Sequence, residues 1–282
     1  MTDKKKKAGE PLDLITRGVK GPSPAGTLSF ISLRAADPFL QYQILASGWG
    51  AAALSRAGIS TISSSAASSA LLPSAATAVT NTGIALVDRL RLPLPHLLLL
   101  GMSVGAAAKQ IYWVAAVSHE AFPASAALTV AGFNTAVNTL AALLLLAAPT
   151  SAALSAPFPG TSLPYPCVVG PALYAVGLAL GAASEVQRRD FKESPAGRGK
   201  VMRAGLWSRA RHVNYGGYAL WRAGYALAGG GVVAGLAAGL FQAWDFAVRA
   251  VPVLDEYCGK RYGEDWASFK RDVRWILLPG IY

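Results

Sequence analysis

The stretch PLPHLLLLGMSVGAAAKQIYWVAAV at residues 93–117 decides the fold class. A helix that crosses a bilayer needs about 20 consecutive, mostly apolar residues, and this stretch meets that requirement. Two similar stretches follow at residues 123–148 and 165–184. The sequence therefore predicts an all-α fold, a polytopic bundle of membrane-spanning helices.

Three weaker stretches complete the predicted bundle. Residues 38–55 are borderline in length, and residues 59–87 are rich in Ser, Ala and Thr with Pro73 inside, which is consistent with a span, a kinked span or a re-entrant piece. Residues 215–250 are too long for one span at a rise of about 1.5 Å per residue. The glycines at Gly229–Gly231 favour a tight helical hairpin there. We expect about six or seven spans.

The overall composition agrees with a membrane protein. Hydrophobic residues make up 53% of the 282 residues, charged residues 15%, and the mean hydropathy is +0.37. Soluble domains carry about 25% charged residues, and disordered chains have low hydrophobicity. With only two cysteines, a secreted disulfide scaffold is excluded.

Charge is concentrated outside the apolar stretches and predicts three regions. Residues 38–184, the predicted transmembrane bundle, hold four basic and two acidic residues, whereas residues 185–215 hold eight and three. Because basic loops stay in the cytosol, we expect the Lys4–Lys7 run and residues 185–215 on the cytosolic side. Residues 1–37 are predicted to be a flexible basic arm and residues 185–282 a polar cytosolic domain. Topology explains this charge without nucleic acid.

This orientation sets a condition on the number of spans. If the N-terminus and residues 185–215 share one side, an even number of spans must separate them. Five are counted if residues 59–87 cross the membrane. Either that stretch does not cross, or the N-terminus lies on the far side.

Residues 109–138 contain polar side chains at predicted membrane depth, where such groups are costly and usually face the protein interior. The functional interpretation is a polar pocket that orients a substrate oxygen or supplies a proton. The structural interpretation is that the asparagines join helices, that Lys109 reaches a helix end, and that His119 and Glu120 lie at the water interface. The set comprises Lys109, Gln110, Tyr112, His119, Glu120, Asn134 and Asn138.

Motifs of soluble enzymes and metal sites are missing from the sequence. It contains no Walker A loop, no GxGxxG after a strand, no HExxH and no GxSxG. With three histidines and two distant cysteines, we predict no metal site.

The last third of the chain is polar, basic and rich in aromatic residues. It reads EVQRRDFKESPAGRGKVMRAGLWSRARHVNY at 185–215 and DEYCGKRYGEDWASFKRDVRWILLPGIY at 255–282. Arginine forks match phosphate oxygens, and Asp255 and Glu256 are suited to accept from ribose hydroxyls or an adenine amine. His212, Asn214 and Tyr215 add directional hydrogen-bonding groups. The composition fits an anionic cofactor, or alternatively a basic loop with an amphipathic tail on the membrane.

Particular residues favour the cofactor. The run Gly205-Leu206-Trp207, then Arg211-His212-Val213-Asn214-Tyr215 and Gly217, resembles the "GLW…SRHPNYxG" signature of the steroid 5α-reductase-like superfamily of membrane enzymes. The tail, from Asp255-Glu256 through Arg261-Tyr262-Gly263 and Asp265-Trp266 to Pro279-Gly280-Ile281-Tyr282, is similar to the ending of sterol reductases. The resemblance covers residues 185–282. Val213 replaces the usual proline, and Gly216 replaces a bulky residue.

The resemblance implies a membrane enzyme in the endoplasmic reticulum that uses NADPH to reduce a carbon–carbon double bond of a sterol or other lipid. Residues carried over by position to cofactor contacts are Arg188, Lys192, Arg211, His212, Asn214, Asp255 and Tyr262, and Tyr215 joins them from its chemistry. A proton donor is also required, and our candidates are Tyr112, His119 and Glu120.

Two other functions remain open at this stage. One is an S-adenosylmethionine-dependent membrane methyltransferase of the isoprenylcysteine carboxyl methyltransferase type, which has a similar RHPxYxG element. The other is a non-catalytic lipid-binding scaffold, which the changes at Val213 and Gly216 leave open. The tail residues favour the reductase.

Overall fold

The computed structural model describes residues 18–62 and 78–282, and these parts of the chain form a helical bundle with isolated bridges and no named β-strand. Nine α-helices are described, joined by short 3₁₀ and π turns. They are α1 Pro24–Ala46, α2 Trp49–Arg56, α3 Ala85–Asp88, α4 Leu94–Tyr112, α5 Ala124–Leu146, α6 Tyr165–Glu193, α7 Val213–Asp245, α8 Val251–Tyr262 and α9 Glu264–Asp272.

Four continuous helical segments are long and apolar enough to cross a membrane. They run over Leu94–Val117, Ala124–Leu146, Tyr165–Glu193 and Val213–Tyr262. The first three begin within a residue of the spans predicted at 93, 123 and 165, which confirms the all-α membrane bundle. Their apolar faces bury a core around Leu99, Leu145 and Trp221.

Helix α1 corrects the prediction for the beginning of the chain. The boundary expected at residue 37 falls inside α1, and the span expected at 38–55 is interrupted at Ser47–Gly48, where Gly48 has φ +83°. Arg34 and Asp37 lower the hydropathy of this part of the sequence, and it was therefore predicted to lie outside the membrane bundle. Both side chains are buried in the bundle and lie 3.3 Å apart.

The long segment at the carboxy-terminal side folds back on itself, as predicted. Gly230 and Gly231 leave helical geometry, and Gly231 has φ +72° and ψ −164°, a conformation almost restricted to glycine. After this turn Gly235 packs against Leu227 and Gly239 packs against Ala223, so the two arms run antiparallel.

The described helices bear on the parity condition and leave it open. Helix α1 runs parallel to α5, since Arg34 contacts Thr135 and Gln41 contacts Thr139. Helices α4, α5 and α6 are among the described segments that are long and apolar enough to cross a membrane, and α1 is not. Residues 63–77 of the weak stretch at 59–87 lie outside the described residues. With the fold-back of α7, the described candidate segments provide at most five passes, and the number of six or seven stays a prediction.

Glycines bring α6 and the first arm of α7 into backbone contact. A Cβ atom on Gly217 would lie 2.7 Å from the carbonyl oxygen of Gly177 and from the amide nitrogen of Gly181. Such close approach of small residues is typical of helix pairs in lipid. It places the last polar turns of α6 directly beside the start of α7.

Candidate cofactor site

The polar segments at residues 185–215 and 255–282 meet at one end of the bundle. The amide of Arg211 donates to the carbonyl of Trp275 at 3.0 Å, and the amide of His212 donates to Ile276 at 2.8 Å. A side chain at position 216 would overlap the carbonyl oxygen of Leu277. Gly216, a departure from the superfamily pattern, therefore permits the tail to lie against the first turn of α7.

An ion-pair cluster holds the loop after α6 against α9. The guanidinium of Arg203 lies 2.5 Å from Asp265 and 2.9 Å from Asp272, and the Val201 amide donates to Asp265 at 3.0 Å. The hydrogen bond from the Val201 amide lowers the pKa of Asp265 most, and Arg203 lowers it further. Together they outweigh desolvation, which raises it. Beneath these ion pairs, Val201 and Trp266 belong to a small buried apolar cluster.

Buried Glu185 is the centre of the site. It accepts hydrogen bonds from the Asn214 side chain at 2.6 Å and from the Arg188 guanidinium at 2.7 Å, and it attracts Lys109 of α4. Three helices therefore supply partners to one carboxylate. The Oδ1 atom of Asn214 is buried and has no hydrogen-bond partner, so a built acceptor remains available beside Glu185.

Further predicted cofactor residues surround this centre. Lys192 donates to the Tyr262 hydroxyl at 3.1 Å, and its ammonium lies 4.6 Å from the Tyr262 ring centroid. The His212 and Tyr215 rings stack with centroids 5.7 Å apart, and Tyr215 stacks on Phe246 at 4.4 Å. Cations and flat aromatic faces thus line the same end of α6 and α7.

Two of the predicted cofactor residues have structural partners. Arg211 donates to the Val273 carbonyl at 2.8 Å, and burial lowers the pKa of its guanidinium. Asp255 accepts from the Trp266 indole at 2.7 Å and from Lys270 at 3.1 Å. These contacts fix the tail and α9, so the two side chains shape the site whether or not they also contact a ligand.

The three proposed proton donors lie at the same end of the bundle. Tyr112 is 45% exposed and accepts from Arg189 at 3.4 Å. His119 lies 3.1 Å from Glu193, and Glu120 accepts from the Gly18 amide at 3.0 Å. His119 and Glu120 line a cavity of about 540 Å³. All three remain candidates, and none is buried among the Glu185 contacts.

A second polar cluster lies deeper in the bundle, and only part of it was predicted. Gln110 donates to Asn134 at 2.7 Å, which agrees with the polar contact expected between residues 109 and 138. The sequence interpretation missed Arg34, Asp37 and Arg222, which are all buried in the same cluster. The sequence does contain an indication of this cluster, because Arg222 is the single charged residue in a long apolar run.

The cluster joins α1, α5 and α7. Arg222 donates to Asn138 at 2.9 Å and also to Asn134. Asn138 donates to Asp37 at 2.6 Å. The asparagines thus connect helices, as the structural interpretation held, although their partners are buried charges. In the described residues, no group of three or more His, Cys, Asp or Glu could hold a metal ion.

Comparison with known proteins agrees with the carboxy-terminal motif. The model of the family described as "Protein of unknown function (DUF1295)" matches residues 125–273. The "Probable O-methyltransferase ustE" of Ustilaginoidea virens is 38% identical over 270 residues, which cover 94% of this chain and 90% of that protein.

Sterol reductases match over a shorter part of their length. A Delta(14)-sterol reductase of Gibberella zeae is 28% identical over 172 residues, covering 42% of this chain and 36% of the reductase. A 7-dehydrocholesterol reductase of Danio rerio is 34% identical over 86 residues, covering 29% and 17%. The family match and the near full-length relative agree: this chain belongs to the DUF1295 family, which is steroid 5α-reductase-like.

Proposed function

We propose that this chain is an integral membrane oxidoreductase that uses NADPH to reduce a carbon–carbon double bond of a sterol or other lipid. The observation that carries the proposal is the pair formed by Glu185 and Asn214, with a buried acceptor atom left over on Asn214. The similarity to sterol reductases supports the same reaction class.

The residues present fit the cofactor. Because Asn214 donates an amide hydrogen to Glu185, the Oδ1 atom of Asn214 is left to accept from another donor, and a carboxamide N–H of the cofactor would suit it. Arg188 and Lys192 are spaced one turn apart on α6 and supply charge for phosphate oxygens. The His212 ring stacks on Tyr215, and Tyr215 stacks on Phe246, so these rings support the start of α7 beside the charged groups.

When bound at this site, NADPH would be the hydride source for one carbon of the double bond. The protein must then provide a proton to the other carbon. Tyr112, His119 and Glu120 are the proposed donors, and Glu120 is close enough to the site to interact electrostatically with Arg188. Position on an aqueous face allows such a donor to be reprotonated from solvent.

The proposed location is the membrane of the endoplasmic reticulum, with residues 185–282 in the cytosol. The basic charge of residues 185–215 supports this orientation. The N-terminal end of α1 lies beside the same polar region, since Gly18 approaches the Tyr257 hydroxyl. Lipid metabolism is the process that this location and reaction class imply.

A second function is favoured by a specific observation. The relative that matches over 94% of this chain is named as a probable O-methyltransferase. S-adenosylmethionine carries an ammonium group, and Glu185 with the free acceptor on Asn214 would suit it as well. An S-adenosylmethionine-dependent methyltransferase of a lipid-soluble oxygen acceptor is therefore the alternative.

Cofactor binding to the purified, detergent-solubilised full chain separates these functions. A ligand that binds only the folded state raises the thermal midpoint, so NADPH, NADH and S-adenosylmethionine are titrated separately. We expect a rise with NADPH that is lost in Asn214→Ala and kept in Asn81→Ala, whose exposed side chain lies outside the site. A rise with S-adenosylmethionine alone would establish the alternative, and no rise with any of the three would favour a non-catalytic scaffold.

A further inference from the structure

The deep polar cluster carries more positive charge than it can neutralise. Among its described members, Arg34 and Arg222 are cations, and Asp37 is the one carboxylate, which leaves a net charge of +1. Both arginine side chains are at most 1% exposed. A charge at this depth is costly, and such groups usually mark a substrate or ion site.

Several hydrogen-bond donors of the cluster are poorly satisfied. The Oδ1 atom of Asn134 receives three donors, namely Gln110 at 2.7 Å, the Tyr218 hydroxyl at 3.1 Å, and Arg222. A carbonyl oxygen has two lone pairs, so one donor is surplus. The Nε atoms of Arg34 and Arg222 are buried without any acceptor. The buried Oε1 atoms of Gln41 and Gln110 are unpaired as well, so what the cluster lacks is a negative charge beside the arginines rather than a number of acceptor atoms.

Helix α7 connects this cluster to the candidate cofactor site. Tyr215, Tyr218 and Arg222 recur at intervals of three and four residues, so they share one face of the helix. Phe246 packs against that face, 4.4 Å from Tyr215 and 5.4 Å from Tyr218 between ring centroids. Arg222 lies eight residues beyond Asn214, about 12 Å along the helix axis, a length comparable with a small fused-ring molecule.

We propose that the deep cluster binds a negatively charged oxygen, a carboxylate or phenolate, at one end of an otherwise apolar ligand. Arg222 and Tyr218 are the donors, and the aromatic group that Tyr215, Tyr218 and Phe246 form lies beside the apolar part. This inference rests on the proposed function in one respect: if that function holds, the ligand is the substrate. The net positive charge of the cluster stands without it.

The probe is 2-naphthoate, which joins one carboxylate to a rigid apolar ring system, and its neutral control is methyl 2-naphthoate. Both are titrated into the detergent-solubilised full chain at neutral pH, with binding measured by calorimetry and by thermal midpoint. We expect 2-naphthoate to bind at least tenfold more tightly than the ester. Equal binding, or no binding of 2-naphthoate, would overturn the proposal.

Variants locate the binding site within the chain. Arg222→Gln removes the charge and is expected to weaken 2-naphthoate binding at least tenfold, whereas Arg222→Lys retains part of it. Tyr218→Phe removes one donor with little change in packing, so it tests the site even if the arginine variants fold poorly. Arg249→Gln is the matched control, because Arg249 pairs locally with Asp245 at 2.6 Å and its loss should leave binding unchanged.

Failure of this inference is separable from failure of the proposed cofactor. The changes in thermal midpoint caused by NADPH and by S-adenosylmethionine are measured on the same samples. We expect these changes to be the same in Tyr218→Phe as in the unaltered protein. If 2-naphthoate and its methyl ester bind equally while a cofactor still raises the thermal midpoint, only the deep site is refuted. Charge-selective binding of 2-naphthoate without any cofactor shift would refute only the proposed function.

Discussion

Glu185 of α6 accepts a 2.6 Å hydrogen bond from Asn214 of α7, across the interface that closely packed glycines create. The same carboxylate holds Arg188 at 2.7 Å. Because Glu185 is buried and holds the amide of Asn214, the orientation of Asn214 is fixed before any ligand arrives. The candidate site is therefore pre-organised by one carboxylate that the superfamily signature does not include in its central motif.

Glu185→Gln tests this pre-organisation. The amide keeps the size of the side chain and removes the charge that offsets Arg188 and Lys109. We expect a loss of about 1–3 kcal/mol in folding stability, less than for a fully buried pair, because the Arg188 side chain is 43% exposed. The cofactor-induced rise in thermal midpoint should disappear.

A control for that variant is Glu193→Gln, which lies on the same helix. Glu193 pairs with His119, but its side chain is 57% exposed, and exposed pairs contribute about 0–1 kcal/mol. An equal effect of both substitutions would show that Glu185 has no special role. Thermal unfolding in one detergent, with and without cofactor, provides the comparison.

The hairpin turn in α7 leads to a prediction about stability. Gly231 has φ +72° and ψ −164°, where a Cβ atom is strained by about 1–3 kcal/mol. Gly231→Ala should lower the thermal midpoint accordingly. Gly101→Ala, in a helical conformation with open space around it, should be neutral or slightly stabilising. Equal midpoints for the two variants would contradict the turn geometry.

Much of this fold could be predicted from local patterns, because apolar length specifies a membrane helix. The spans starting at Pro93, Pro123 and Tyr165 and the turn at Gly229–Gly231 follow from such patterns and are confirmed. Helix α1 could not be predicted in this way. Arg34 and Asp37 interrupt its hydropathy, and only the tertiary structure supplies their buried partners.

The candidate site was predictable only in part. Polar residues of rare type at characteristic spacing identified Asn214 and Tyr262 as members. The role of Glu185 as the centre depends on the approach of α4, α6 and α7, which no spacing within one helix encodes. Arg222 was missed for a related reason, since its partners lie 84 and more residues away in sequence.

Arg211 is predicted to act mainly by holding the carboxy-terminal tail, residues 273–282, in place. Its guanidinium reaches the carbonyl oxygens of Val273 at 2.8 Å, Lys270 at 3.3 Å and Arg274 at 3.4 Å. Arg211→Ala should release the last ten residues, so limited proteolysis should cut there earlier than in the unaltered protein, and any turnover should be abolished. Arg209→Ala, at an exposed position, should be cut at the original rate. A resistant tail in Arg211→Ala would indicate that Arg211 acts on a ligand directly.

The contact between the loop after α6 and α9 predicts a dependence of stability on pH. The Val201 amide and then Arg203 lower the pKa of Asp265 in the folded protein, so the ionised carboxylate favours folding. This stabilisation is complete above the pKa of the unfolded chain, about 3.9, and is lost as the pH falls through the lower, folded value. The thermal midpoint of Asp265→Asn should therefore lie below that of the unaltered protein at pH 7, and the two should converge towards pH 3. Glu264→Gln, whose side chain is 79% exposed, should follow the unaltered protein throughout. A constant difference between Asp265→Asn and the unaltered protein across this range would mean that ionisation of Asp265 does not stabilise the loop.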